Sequence, residues 1–135
     1  MNIKLLLVDD EQDFIELLAE RLVNRGFKVE TAFNGDQALE VVKTHDVDVV
    51  ILDVLMPGKD GIETLREIKE LRPLVEVIML TGHATVQTAI DGMKLGAFDY
   101  LMKPTDTDDL MNKINKAYQR KAEQEERIRQ AEVDR

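Results

Sequence analysis

This sequence predicts an α/β fold, a doubly wound sheet of five parallel strands with helices on both faces, and three observations predict it. Short apolar runs alternate with helix-period segments five times along the chain. Three of those runs, "IKLLLV" (3–8), "DVVIL" (48–52) and "VEVIML" (75–80), are nearly continuous Val, Ile and Leu, as suits parallel strands covered on both faces. The 135 residues are 44% hydrophobic and 33% charged, which fits one domain with a sizeable core.

The first strand, 3–8, runs directly into Asp9, Asp10 and Glu11. The helical segment after it stops at Gly26, a residue free to adopt the left-handed conformation of a helix end. "KVETA" (28–32) alternates apolar and polar residues and reads as an edge strand. Asn34-Gly35-Asp36-Gln37 then places an N-cap three residues before Gln, the capping-box spacing, and Asp60-Gly61-Ile62-Glu63 repeats it for the third helix. Between these two starts lies the third strand, 48–52, which ends at Asp53. The fourth strand, 75–80, is followed by Thr81 and Gly82.

In the next helix Val86, Ala89, Ile90 and Met93 form one apolar stripe, and Gly96 marks its stop. Met79 and Met93 read as core filling. "FDYLM" (98–102) is the fifth strand, with Lys103 and Pro104 behind it. The last helix starts near Asp106 and runs almost to the end, with Glu123–Arg127 and Glu125–Arg129 at i, i+4 spacing. Its second half holds too few apolar residues to bury in a monomer. The expected organisation is a folded body over 1–118 and a charged helical tail, linker or weak coiled coil over 119–135.

Composition narrows the function. There is no cysteine, so disulfide frameworks and thiolate metal sites are excluded. No apolar run reaches 18 residues and no signal peptide is visible, so the expectation is a cytoplasmic protein without a membrane span. Net charge is −9, which argues against direct nucleic-acid binding by this chain. The tail carries five basic and five acidic residues, so the whole acidic excess lies in the body.

Ligands of open α/β sheets bind beyond the carboxyl ends of the strands. Those ends deliver Asp9, Asp10 and Glu11, then Asp53, then Thr81, then Lys103. Taken singly, acids at a strand-to-helix turn cap helices, Thr81 could be a cap and Lys103 a surface lysine. Jointly they form a constellation. Two carboxylates about 4 Å apart repel by roughly 4 kcal/mol at an effective dielectric near 20, and a bound cation would offset that repulsion. Carboxylates without thiol or imidazole suit a hard ion such as Mg2+, and one of them can act as nucleophile to give an aspartyl-phosphate. Asp53 is the best candidate for that role.

On "LLVDDE" (6–11), "ILDVLMPGKDG" (51–61), "MLTGHA" (79–84) and "FDYLMKP" (98–104), the sequence resembles the receiver domain of two-component response regulators. The wording of 51–61 and 96–104 is closest to receivers of nitrogen-regulation-type transcriptional activators. The resemblance implies a flavodoxin-like receiver fold of strand order 2-1-3-4-5 with Asp53 on the central strand. It implies that Asp53 is the phosphoacceptor for a sensor histidine kinase. Asp9, Asp10, Asp53 and the backbone carbonyl of Leu55 would hold Mg2+. Lys103 would pair with phosphoryl oxygens, and its bond to Pro104 would be cis and aim it inward. Thr81 would close onto the phosphoryl group and Tyr100 would follow as the switch aromatic. The fourth helix, the fifth strand and the start of the fifth helix would form the responding face. Its partner would be a downstream protein, a fused output domain or a second copy in a homodimer. By the same analogy Leu55 and His83 would tune hydrolysis of the phosphoryl group, apolar Leu55 holding an attacking water poorly. His45, in a polar loop, reads as surface.

Three other classes compete. A dehalogenase-type phosphatase needs a second Asp two residues after its nucleophile, where this chain has Leu55. A flavin-nucleotide site needs a Ser/Thr-rich phosphate loop after the first strand, where Asp9, Asp10 and Glu11 would repel the ligand. A phosphorylation-independent docking module remains, with the complete pocket set speaking against it.

Overall fold

The computed structural model describes residues 2–134. Five strands and five helices alternate: β1 Lys4–Val8, α1 Gln12–Asn24, β2 Lys28–Ala32, α2 Gly35–Thr44, β3 Val49–Leu52, α3 Gly61–Leu71, β4 Glu76–Thr81, α4 Val86–Lys94, β5 Asp99–Met102 and α5 Thr107–Val133. The strands form one sheet of order β2-β1-β3-β4-β5, with every neighbouring pair parallel. The expected architecture is therefore found, with β3 at the centre and β2 at an edge. Strand bounds shift by a residue: Thr81 closes β4 rather than following it.

Period-two alternation divides the core. Leu5 and Leu7 of β1, Ile51 of β3 and Ile78 of β4 face α1 and α5, where Ile15, Leu22, Leu110 and Ile114 cover them. Leu6, Val8, Leu52 and Met79 face the other way, against Ala38 and Val42 of α2 and Leu65 and Ile68 of α3. Each fully buried Leu or Ile contributes about 1.5–3 kcal/mol relative to exposure. Both strand faces are thus dry, which explains why β3 is apolar throughout and β4 is apolar from Val77 to Leu80.

The helix starts differ in detail from the predicted capping boxes. Asn34 Oδ1 accepts from Gln37 N at 2.9 Å, but the Gln37 side chain returns to Phe33 N, one residue before the cap. Asp60 Oδ1 accepts from Glu63 N at 2.8 Å, while the Glu63 carboxylate pairs with Arg66 instead. The reciprocal box forms at α4, between Thr85 and Thr88. Gly26 and Gly96 close their helices with φ of 96° and 98°, a region that favours glycine.

Two expectations about side chains are corrected. The α4 stripe does not face the core: Val86, Ile90 and Met93 are exposed, Met93 by 48%, so Met93 is not core filling. The helix instead packs through buried Gly92, which lies against the Tyr100 ring, Ile62 and Met79. Past residue 120 the ion pairs within α5 are Lys121–Glu125 and Glu126–Arg129, not the pairs expected from spacing.

The packed part of α5 is also longer than its apolar residues suggested. Lys121 is buried and pairs with Asp48 Oδ1 at 3.1 Å, and Arg120 grips both oxygens of buried Glu76. Burial opposes the Lys121 charge, but Asp48 and Glu125 outweigh it and hold its pKa above the usual lysine range.

Candidate functional site

The site forms where the carboxyl ends of the strands meet their following loops. β1 ends in Val8, so Asp9 lies just past the sheet and is buried, while Asp10 is exposed at the rim. Asp9 Oδ1 accepts from Glu11 N at 2.9 Å, turning the chain into α1. β3 ends in Leu52, and Asp53 sits beyond it, buried at the middle of the sheet. Its backbone N donates to Val8 O at 3.0 Å, which locks the two acidic loops together. Asp9, Asp10 and Asp53 offer carboxylate oxygens that all lie within 4.8 Å of one another.

Burial pushes the Asp53 pKa above the usual carboxylate range. The Thr81 hydroxyl opposes that shift, Asp9 adds to it by repulsion, and Lys103 and the Val54 N–H, at 2.8 Å from Oδ1, oppose it. Asp53 is therefore desolvated but not unpaired. Such a cluster fits a hard divalent cation: the donors are all oxygen, two are buried, and Asp10 leaves one side open to water.

Lys103 follows β5 on a cis peptide with Pro104, as the resemblance implied. Its position adds a detail absent from the sequence reading. The ammonium binds Asp9 Oδ2 at 2.6 Å and Glu11 Oε1 at 3.3 Å, with no direct bond to Asp53, and its far side rests on the Phe14 ring, 4.1 Å from the centroid. Burial disfavours its charge, yet Asp9, Asp53 and Glu11 together hold its pKa above the usual value. So the acidic run after β1 is already partly compensated by this chain's own lysine.

The remaining predicted residues converge on the same rim. Thr81 is buried, and its Oγ1 accepts from His83 N at 3.0 Å. Asp10, Glu11, Leu55 and His83 line one open cleft over Asp53, with the Leu55 and His83 side chains exposed at its mouth. Tyr100 is half-buried on edge strand β5, and its hydroxyl lies 2.6 Å from Thr88 Oγ1 at the start of α4. His45 is exposed, as expected, in the loop before β3 at the amino ends of the strands, the opposite end from the site.

Three contributors were not singled out by sequence. Phe14, a partly buried aromatic on α1, carries no sequence signal that tells it from a core residue. Thr88 could have been noticed from Thr85 three positions earlier, a capping-box spacing with Thr in place of Glu. Gly61 is the third: a Cβ there would lie 1.9 Å from Asp53 O, so α3 can abut the Asp53 backbone only because this residue has no side chain.

A search against known families matches residues 5–115 to the response regulator receiver domain. The chain belongs to that family. It is a receiver domain of two-component response regulators, a regulatory class built for phosphorylation-based signalling. Among its relatives is the transcriptional regulatory protein ZraR of Escherichia coli, 43% identical over 116 residues, which are 86% of this chain and 26% of that protein. A solved receiver domain from Methanospirillum hungatei superimposes with a TM-score of 0.88 at 27% identity, covering 92% of this chain and 99% of that one. NtrX from Brucella abortus, solved in complex with ADP, gives 0.87 at 34% identity over 93% of this chain and 29% of that chain. The chain spans about a quarter of the length of the curated relatives it matches.

Proposed function

We propose that this domain is a phosphorylation-dependent switch in which Asp53 accepts a phosphoryl group from a sensor histidine kinase. The observation that carries the reading is the convergence of Asp53 with Asp9 and Asp10 in one oxygen cluster, beside the Lys103 ammonium. Asp9, Asp10, Asp53 and the Leu55 backbone carbonyl are the groups that would hold Mg2+, which when bound supplies charge neutralisation for the phosphoryl oxygens. An Asp53 carboxylate oxygen bonds to phosphorus as the N–P bond of a phosphohistidine breaks, and the electron pair stays on the imidazole nitrogen. Lys103 neutralises the oxygens of the transferring group, and buried Thr81 offers them its hydroxyl. Leu55 and His83, at the mouth of the cleft, govern how readily water reaches the product.

The phosphoryl group brings nearly two negative charges and three acceptor oxygens. Thr81 turning toward it would vacate room for the Tyr100 ring, which then leaves Thr88. That movement would alter the α4–β5–α5 face, where Val86, Ile90, Met93 and Met102 are exposed and suited to a protein partner, a fused output domain or a second copy. The exposed apolar face also favours the second reading, a docking module that works without phosphorylation. Among the described residues no helix is long and apolar enough to cross a membrane, and the acidic body disfavours direct nucleic-acid contact. A cytoplasmic setting suits this role.

Incubation with acetyl phosphate and Mg2+, followed by intact mass and sizing chromatography, tests the proposal. A phosphoryl-sized gain that Asp53→Asn abolishes, together with a changed elution volume, supports site and output together. No gain in the wild-type chain leaves the docking module as the better account.

A further inference from the structure

We infer that Phe14 is a positioning residue for Lys103, holding the ammonium inside the acidic cleft by the face of its ring. The inference rests on the phosphoacceptor reading above and concerns how that reaction keeps its one internal cation in place. Lys103 Nζ touches three groups: Asp9 at 2.6 Å, Glu11 at 3.3 Å and the Phe14 ring at 4.1 Å from the centroid. They are not equivalent. Asp9 belongs to the oxygen cluster suited to a divalent cation, so its hold on Lys103 weakens whenever its charge is shared with a metal. The Glu11 side chain is 60% exposed and draws the ammonium outward, toward solvent.

Phe14 alone among the three can attract a cation without adding a negative charge. The cleft already contains Asp9, Asp10, Glu11 and Asp53, and a fifth carboxylate would raise repulsion and bind the lysine too tightly to release it to a phosphoryl oxygen. An aromatic face attracts an ammonium through its quadrupole, more strongly when the pair is shielded from water. The shielding is present: the Lys103 side chain is only 13% exposed. The ring is held by packing, since Phe14 in the first turn of α1 lies among Leu18 and Leu80 of the core. The wall is therefore stationary, and the ammonium can slide across it between Asp9 and Asp53 without leaving the cleft.

Two variants separate the aromatic face from simple bulk. Phe14→Leu keeps an apolar side chain of similar size and removes the quadrupole, and Phe14→Tyr restores it. The first readout needs neither metal nor phosphoryl donor. The Lys103 ε-methylene protons should resonate upfield of the other lysines because of the ring current, lose that shift in Phe14→Leu and regain it in Phe14→Tyr. The second readout is phosphorylation by acetyl phosphate at saturating donor and Mg2+. The maximal rate should fall about five- to tenfold in Phe14→Leu and recover in Phe14→Tyr, with Mg2+ affinity by calorimetry within about twofold throughout, since the face does not compete for the ion. A Phe14→Leu rate equal to wild type, a Phe14→Tyr rate as low as that of Phe14→Leu, or an unshifted Lys103 methylene overturns the inference while leaving the phosphoacceptor reading intact. No phosphoryl gain in any chain, wild type included, overturns that reading and the inference with it.

Discussion

Cutting the chain after Tyr118, at the boundary suggested by the charge pattern, removes Arg120 and Lys121 and strands two buried carboxylates. Glu76 is left with Lys69 at 3.5 Å, and Asp48 with the Lys4 backbone N–H at 2.9 Å. A hydrogen bond to a charged group is worth about 1.5–3 kcal/mol, and unpairing a buried charge costs more than an average bond returns. The fresh chain end lets water reach both carboxylates, which reduces the loss to about 2–3 kcal/mol in total. At roughly 2.1 cal/mol/K of unfolding entropy per residue, a chain of this size loses about 8–12 °C in Tm. Thermal unfolding followed by circular dichroism compares chains ending at 118 and at 126, the longer retaining Arg120, Lys121 and Glu125. The shorter should melt lower by that margin, and Glu76→Gln with Asp48→Asn in the shorter chain should recover part of it. Equal melting of the two truncated chains would refute the reasoning and place the end of the folded body before Arg120.

Burial raises the Asp53 pKa, so the folded state holds that proton more tightly than the unfolded state does. Its favourable contribution is present below the unfolded carboxylate range and lost as pH rises through the folded value. Metal-free Asp53→Asn should therefore be more stable than wild type at neutral pH, with the gap closing toward about pH 4; a gap that widens on acidification contradicts this. Gly61→Ala, at the first position of α3, gains less than the ~1 kcal/mol of a helix interior, and its Cβ meets Asp53 O at 1.9 Å and Val54 Cα at 2.7 Å. Backbone cannot yield as a side chain can, so denaturant titration should show a net loss of about 2 kcal/mol or more. Thr88→Val removes the hydroxyl that holds Tyr100 and half of the α4 capping box, a loss of about 1 kcal/mol at the cap. The Tyr100 ring resonances of the unphosphorylated variant should move toward those of the beryllofluoride-bound wild type. Unmoved resonances would mean that Thr88 does not bias the ring.

The parts of this fold that were legible in sequence are those where one local signal suffices. β3 and β4 are apolar on both faces because helices cover both, and continuous Val, Ile and Leu announce that. The acids after β1 and β3, Thr81 and Lys103 could be gathered because strand ends in a parallel sheet share one rim. Periodicity alone could not tell which face of α4 is covered: the stripe through Val86, Ile90 and Met93 is real but faces solvent, and Gly92 makes the contact. Pairings between distant charges were equally hidden. Asp48 with Lys121, Glu76 with Arg120 and Asp9 with Lys103 join residues 44 to 94 positions apart or on different elements, and each alone reads as surface. Phe14 belongs to the same class, since an aromatic residue on an amphipathic helix carries no mark of the cation it will meet.

Chemical trapping tests the central claim most directly. Borohydride reduces an acyl phosphate of aspartate to homoserine, so treatment after incubation with acetyl phosphate and Mg2+, followed by peptide mass mapping, marks the acceptor itself. Homoserine at position 53, and at no other acid, is the predicted result. Homoserine at Asp9 or Asp10, or the five-carbon alcohol that a glutamyl phosphate yields at Glu11, with position 53 unmodified, would contradict the assignment of the nucleophile.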